Sequence, residues 1–268
     1  MRQQNRQPAT KAGILRRLAD AGLDSLPDRR GRQGRRIAYL ALLNSLMLGA
    51  VWAARALRDV EALTAGLSPQ VRRSTAIRDR ISDTKLRETL LQLETDELRQ
   101  CLHRQVKAEH RRGNLAPARL PFGVAAIDGK GLGKLDSWAH PDVQKVWPTG
   151  QAPYGLARVH RTHLVSSKAT VCIDQRPIPG DTNEIGAVCD TTGQLLETYK
   201  RTNLFEVITA DAGNCSLAHA TLIHERNVGY VLGIKENVGD ISQEGLRLQK
   251  KRRTDEREVQ VVRREKGA

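Results

Sequence analysis

Two short apolar runs in this chain end in an aspartate with glycine close behind. Val124-Ala125-Ala126-Ile127-Asp128-Gly129 is the first, and Val207-Ile208-Thr209-Ala210-Asp211-Ala212-Gly213 the second. An apolar run of that length reads as a buried strand, and an acid after it is delivered to the edge of a sheet. Each aspartate by itself also fits a turn residue at a strand end. As a pair 83 positions apart, with room for further strands of one sheet between them, they read as a paired-carboxylate site. Carboxylate oxygens are the donors that hard cations prefer.

Other chemistry-bearing residues are less suited to form a site. His160 and His163 lie three apart on a strand-like run and therefore face opposite sides, which is poor ligand geometry. The four cysteines, Cys101, Cys172, Cys189 and Cys215, form no CxxC or CxxH pair. They read as small hydrophobes of a reduced, cytoplasmic protein, not as a zinc site or a disulfide framework. Gly129-Lys130-Gly131-Leu132-Gly133-Lys134 reads as a glycine-rich loop, but it lacks the Gly-Lys-Ser/Thr ending of a phosphate-binding loop. Trp138 and Trp147, in an irregular stretch, suit either base stacking or the anchoring of a long loop.

The elements that must position the two aspartates follow from periodicity. Residues 1–36 read as a basic arm, with ten Lys/Arg against three Asp and no signal-peptide core. Ile14, Leu15 and Leu18 fit one face of a short helix that Gly22 stops, and residues 28–36 read as a loop that cannot bury itself. Residues 37–57 are the longest apolar run. Asn44, Ser45 and Gly49 point to a helix buried on most faces instead of a membrane span. Ser82-Asp83-Thr84 opens another helix, and Leu90, Leu91, Leu98, Leu102 and Val106 keep helical rhythm. A helical domain over 37–112 and a linker over 113–121, with its prolines, follow.

From residue 122 the period changes. Strands are expected over 124–128, 158–166, 169–175, 207–211 and 230–235, and an extended piece over 258–262. Helices are expected over 182–196, 216–226 and 238–248, and Lys250-Lys251-Arg252-Arg253 is a charge run. A hairpin first and crossover helices later make an α/β chain with a mixed sheet flanked by helices. The formal charge of +14 and pI near 10.1 favour a polyanionic partner, nucleic acid first.

Five stretches in this order resemble the DDE-type insertion-sequence transposases, in particular the H-repeat-associated group. They are Ala-Ile-Asp-Gly-Lys (126–130), His-Leu-Val-Ser (163–166), Asn-Glu-Ile (183–185), Ile-Thr-Ala-Asp-Ala (208–212) and Tyr-Val-Leu-Gly-Ile-Lys-Glu-Asn (230–237). The resemblance covers roughly residues 37–240. It implies a transposase-associated helical domain followed by an RNase H-like catalytic domain from residue 122 onward. It implies DNA as partner, as element ends and target, a homo-oligomer, and Mg²⁺ or Mn²⁺ as cofactor.

The activity implied is phosphodiester hydrolysis and strand transfer, in which two metal ions flank an in-line displacement at phosphorus. Asp128 matches the first catalytic aspartate and bridging metal ligand, and Asp211 the second. Glu184 matches a recurrent helix acid, which is equally an early-helix acid favoured by the helix dipole. Lys235 matches the end of the strand after the second aspartate. The family's third acid has no clear counterpart. Glu256, Glu258 and Glu265 are candidates by location, with Glu258 taken as the third acid. The ending at Ala268 suggests a catalytic domain cut short, and hence an alternative function: a remnant that binds DNA without cutting it.

Overall fold

The computed structural model describes residues 11–234 and Gln243. The expectations placed on Lys235, on 238–248 apart from Gln243, on 250–253 and 258–262, and on Glu256, Glu258 and Glu265 lie outside those residues.

The chain begins with six helices. They are α1 (Lys11–Ala21), α2 (Tyr39–Val51), α3 (Leu57–Ala65), α4 (Pro69–Thr75), α5 (Asp83–Leu90) and α6 (Thr95–Arg111). Gly22 ends α1 in the left-handed region, at φ 62°. The long apolar run is not one helix. It breaks at Trp52–Ala56, where Ala53 takes φ 55°, and Asp59 Oδ2 accepts from the Arg55 and Ala56 backbone amides to start α3. Within α2, Leu42, Leu43, Ser45, Leu48 and Gly49 are buried, and Asn44 satisfies its amide by donating to the Thr75 carbonyl at 2.9 Å. Among the described residues no helix is long and apolar enough to cross a membrane.

The stretch read as an unburiable loop is also corrected. Arg30 is 7 % exposed: its guanidinium grips both oxygens of Asp28, donates to the Gly34 and Ile37 carbonyls, and lies 5.1 Å from the Tyr39 ring centre. A guanidinium is buried here because its donors are satisfied. The Arg30 hydrogen bonds hold the Asp28 carboxyl below its ordinary pKa against the opposing cost of burial.

Six strands form one mixed sheet: β1 (Val124–Leu135), β2 (Val143–Val146), β3 (Tyr154–Leu164), β4 (Val171–Pro177), β5 (Val207–Ala210) and β6 (Gly229–Leu232). β3 runs antiparallel to β1. Its other edge carries β2 against residues 154–157 and β4 against residues 159–164. β5 is parallel to β1, and β6 to β5. Helix α7 (Glu184–Tyr199) connects β4 to β5, and α8 (Leu217–Glu225) connects β5 to β6. Three antiparallel strands, a crossover helix, then two strands parallel to the first on its other side is the RNase H-like arrangement.

The expected glycine-rich loop at 129–134 is strand. β1 continues to Leu135 beside β3, with a register irregularity between Gly131 and Gly133. Glycine is a weak strand former, but paired across a long hairpin it accommodates a bulge.

One face of the sheet is dry. Ala125, Ile127, Leu164, Ile173 and Ile208 pack there against Leu195, Leu196 and Tyr199 of α7, Ile223 of α8 and Val106 of α6. The helical rhythm over 90–106 is thus split. Leu102 and Val106 of α6 reach the sheet core, whereas Leu90, Leu91 and Leu98 are exposed.

Helix α6 is also tied to the sheet by a buried ion pair. Arg99 donates to both oxygens of Asp174 on β4, at 3.0 and 2.8 Å, and His103 Nε2 lies 3.0 Å from Asp174 Oδ1. Tyr199 donates to the Ile173 carbonyl at 2.7 Å, and burial pushes its hydroxyl pKa up. Cys101 is buried and the other three cysteines half-buried, and all four are free thiols.

Candidate functional site

Asp128 and Asp211 are brought side by side. In the parallel pairing of β1 with β5, Ile127 lies opposite Ala210, the last pair of that register, so the next residue of each strand's run is an aspartate: Asp211 just past the carboxyl end of β5, and Asp128 within β1 where its pairing with β5 stops. Ligand sites of open α/β sheets lie at this end of the strands. Among the described residues no hydrogen bond or ion pair engages the Asp128 side chain, which is exposed.

Asp211 caps the short helical turn Ala212–Asn214. Its Oδ1 accepts from the Asn214 backbone amide at 3.2 Å and from Asn214 Nδ2 at 3.0 Å, which leaves Oδ2 free among the described residues.

A third acid arrives from α7. Asn183 caps that helix by accepting from the Gly186 amide at 2.8 Å, which sets Glu184 in the first turn and aims it back at the sheet. Asn214 Nδ2 donates to Glu184 Oε1 at 3.1 Å as well as to Asp211, so one amide group joins the two acids. Ionised carboxylates only accept, so the amide nitrogen must face them. The Glu184 carboxylate lies over Gly129, the residue after Asp128, in the space a Cβ on that glycine would occupy. Gly129 is thus needed for close approach, a role that its place in an Asp-Gly pair only hinted at.

Asn214, which the sequence reading did not single out, is fully buried. Its carbonyl accepts from His219 Nδ1 at 2.8 Å, and His219 Nε2 meets the Thr192 hydroxyl at 2.9 Å. Because a carbonyl only accepts, the proton sits on Nδ1, and Nε2 receives the threonine hydroxyl. Burial holds the pKa of His219 below the ordinary histidine value, which keeps it neutral in that role. His160, opposite Gly129 on β3, meets the Thr191 hydroxyl at 2.9 Å. Burial lowers its pKa too, with Glu184 pulling the other way. Two histidines on consecutive threonines of α7 thus lie buried on the α7 side of the sheet, His160 near Glu184 and His219 against Asn214.

The donors near the edge are carboxylates, and among the described residues no cationic side chain pairs with them; such hard oxygens suit a hard divalent cation. The amide oxygen of Asn214 is buried without a hydrogen-bond partner, on the side of the amide turned away from Asp211 and Glu184. The acids are not a preassembled cluster, since among the described residues no three His, Cys, Asp or Glu side chains converge closely enough to hold a metal ion.

No protein-family model and no curated protein sequence matches the chain. Two solved structures are similar at a low level. A Mos1 transposase paired-end complex with the left transposon end has 10 % identity and a TM-score of 0.26, over 83 % of this chain and 68 % of that one. A Mos1 mariner paired-end complex with Mn has 10 % identity and a TM-score of 0.25, over 91 % and 75 %. At that level the likeness carries no functional weight, and the chain's own residues must.

Proposed function

We propose that this chain is a DNA transposase of the DDE type, which hydrolyses and rejoins phosphodiester bonds to move an insertion sequence. The observation that carries the reading is the placement of Asp128 and Asp211 one residue past the last pair of the β1–β5 register, with Glu184 brought to Asp211 through one asparagine. Asp128 and Asp211 would hold Mg²⁺ or Mn²⁺, and Glu184 is the described acid tied to Asp211, through Asn214. Glu258, the acid expected from position alone, lies outside the described residues. A bound divalent cation supplies positive charge at the phosphorus centre and acidifies the attacking hydroxyl.

The residues supply placement. Asn214 fixes one oxygen of Asp211 and leaves the other open. Gly129 lets Glu184 approach the strand, and His219, held by Thr192, anchors the backbone of Asn214. The excess of 14 positive charges would hold the DNA backbone, in a way that weakens steeply with salt.

A second reading is a remnant that grips DNA without cutting it. The absence of a preassembled three-acid cluster among the described residues favours it.

The test is nicking of supercoiled DNA in Mg²⁺ by the full chain, beside Asp128→Asn, Asp211→Asn and Glu184→Gln. The expected result is loss of cutting in both aspartate variants and a fall of about 10- to 100-fold for Glu184→Gln, with salt-sensitive binding unchanged. Cutting by Asp128→Asn at the parent rate refutes the assignment. Binding without cutting by the parent supports the second reading.

A further inference from the structure

The hairpin of β1 and β3 runs past the acids, and its far end carries an aromatic and basic cluster. Lys145 on β2 places its ammonium 4.3 Å from the ring centre of Trp138 and 4.1 Å from that of Trp147. Lys134 on β1 lies 4.4 Å from the ring centre of Tyr154 on β3. Trp147 is 70 % exposed and Trp138 36 %. A folded chain with 3 % aromatic residues has few to spare, yet it displays two of its three tryptophans here around one lysine.

The cluster is built, not incidental. β2 and the end of β1 flank the start of β3, with Lys145 and Leu135 both opposite Gly155. A Cβ on Gly155 would strike the Ser137 carbonyl and the Val143 side chain, so this glycine lets the segment carrying Trp138 lie on the sheet. Gly180 donates its amide to the Pro141 carbonyl at 2.7 Å, and the Asp142 amide donates to His140 Nδ1 at 3.1 Å, which ties the same segment down. An indole has two faces. With Lys145 on one, the exposure of Trp147 leaves its other face to solvent.

We propose that Trp138, Lys145 and Trp147 form a platform for unpaired nucleobases, on which a base stacks on the open indole face while Lys145, behind the ring, neutralises a neighbouring phosphate of the same strand. The charge is complementary, since nucleic acid is the polyanion that also offers planar π-faces. Sequence-tolerant stacking of this kind prefers single strands, whose bases are not already stacked on one another. From Asp128 to Leu135 there are seven steps of extended chain, so the end of β1 beside the platform stands about 23 Å from Asp128. That distance is about seven base-pair rises of DNA laid along the strand.

The platform stands without the acid site, so its test needs no metal. Anisotropy of a labelled 15-nucleotide single strand and of a blunt 15-base-pair duplex, both in EDTA, is measured with the full chain and with Trp147→Ala, Trp147→Phe, Trp138→Ala and Lys145→Gln. Loss of one stacked base weakens single-strand binding by about 5- to 150-fold. The expected result is a fall in that range for Trp147→Ala, substantial recovery in Trp147→Phe, and little change for the duplex. The salt slope should be unchanged in both Trp147 variants, because no charge is removed, and about one unit shallower in Lys145→Gln. Single-strand binding by both alanine variants at the parent affinity overturns the proposal, as does an equal loss for single strand and duplex. Neither result bears on whether Asp128 and Asp211 cut DNA.

Discussion

Replacing Asp174 with asparagine should loosen the attachment of α6 to the sheet in a pH-dependent way. Asp174 is 1 % exposed and receives two hydrogen bonds from Arg99, with His103 against the same carboxylate. Burial alone would raise its pKa. The hydrogen bonds from His103 and Arg99 and the Arg99 charge outweigh burial and bring it from 3.8 down to about 2. A depression of that size is worth about 2.4 kcal/mol of folding stability. The sign follows from where the proton binds. Between pH 2 and 4 the unfolded chain takes up a proton that the folded chain refuses. The contribution is therefore complete above about pH 4 and disappears as pH falls through about 2.

The asparagine also leaves the Arg99 guanidinium, only 10 % exposed, with Asp96 as its remaining acid. Breaking a buried pair on one side costs about 3–5 kcal/mol. The expected loss at pH 7 is thus about 2–5 kcal/mol, read from urea unfolding of parent and variant. The gap between them should hold from pH 7 to 5 and shrink by about 1.6 kcal/mol by pH 2.5. Comparing the two chains cancels the other carboxylates that acid also titrates. A gap under about 1 kcal/mol at pH 7, or one that does not change with acid, would refute the reasoning.

Two further perturbations probe the acid edge. Gly129→Ala places a methyl where the Glu184 carboxylate lies, at the flexible end of a side chain, so stability should change by less than about 1 kcal/mol while Mg²⁺-dependent nicking falls by about tenfold or more; circular dichroism melts and a nicking assay together check it. His219→Ala removes a fully buried ring and strands the Asn214 carbonyl and the Thr192 hydroxyl, for an expected cost of about 2–4 kcal/mol in chemical denaturation. Because burial depresses the His219 pKa, its contribution is present above about pH 6.5 and weakens as pH falls below it, so the parent chain but not the variant should lose stability from this group on acidification below about pH 6.5.

Local signals in the sequence were enough for strand over the apolar runs that lead into Asp128 and Asp211, for the helix starts at Ser82 and Asn183, and for the stop at Gly22. Each depends on a short-range pattern: apolar run, side-chain acceptor, or left-handed glycine. The order of strands and crossover helices was legible for the same reason, and with it the mixed sheet. Features set by distant partners were not legible. Residues 129–134 look like a loop because glycine disfavours strand by itself, and only pairing with β3 makes them one. Arg30 looks unburiable until Asp28, Gly34, Ile37 and Tyr39 surround it. Glu184 reads equally well as an acid placed by a helix dipole, because its closeness to Asp211 depends on Asn214, 30 residues away, and on the missing side chain of Gly129. The amino-acid sequence determines which residues can do chemistry and on which elements they ride. Which of them meet is decided by tertiary packing, since parallel register and close backbone approach join residues that no local period connects.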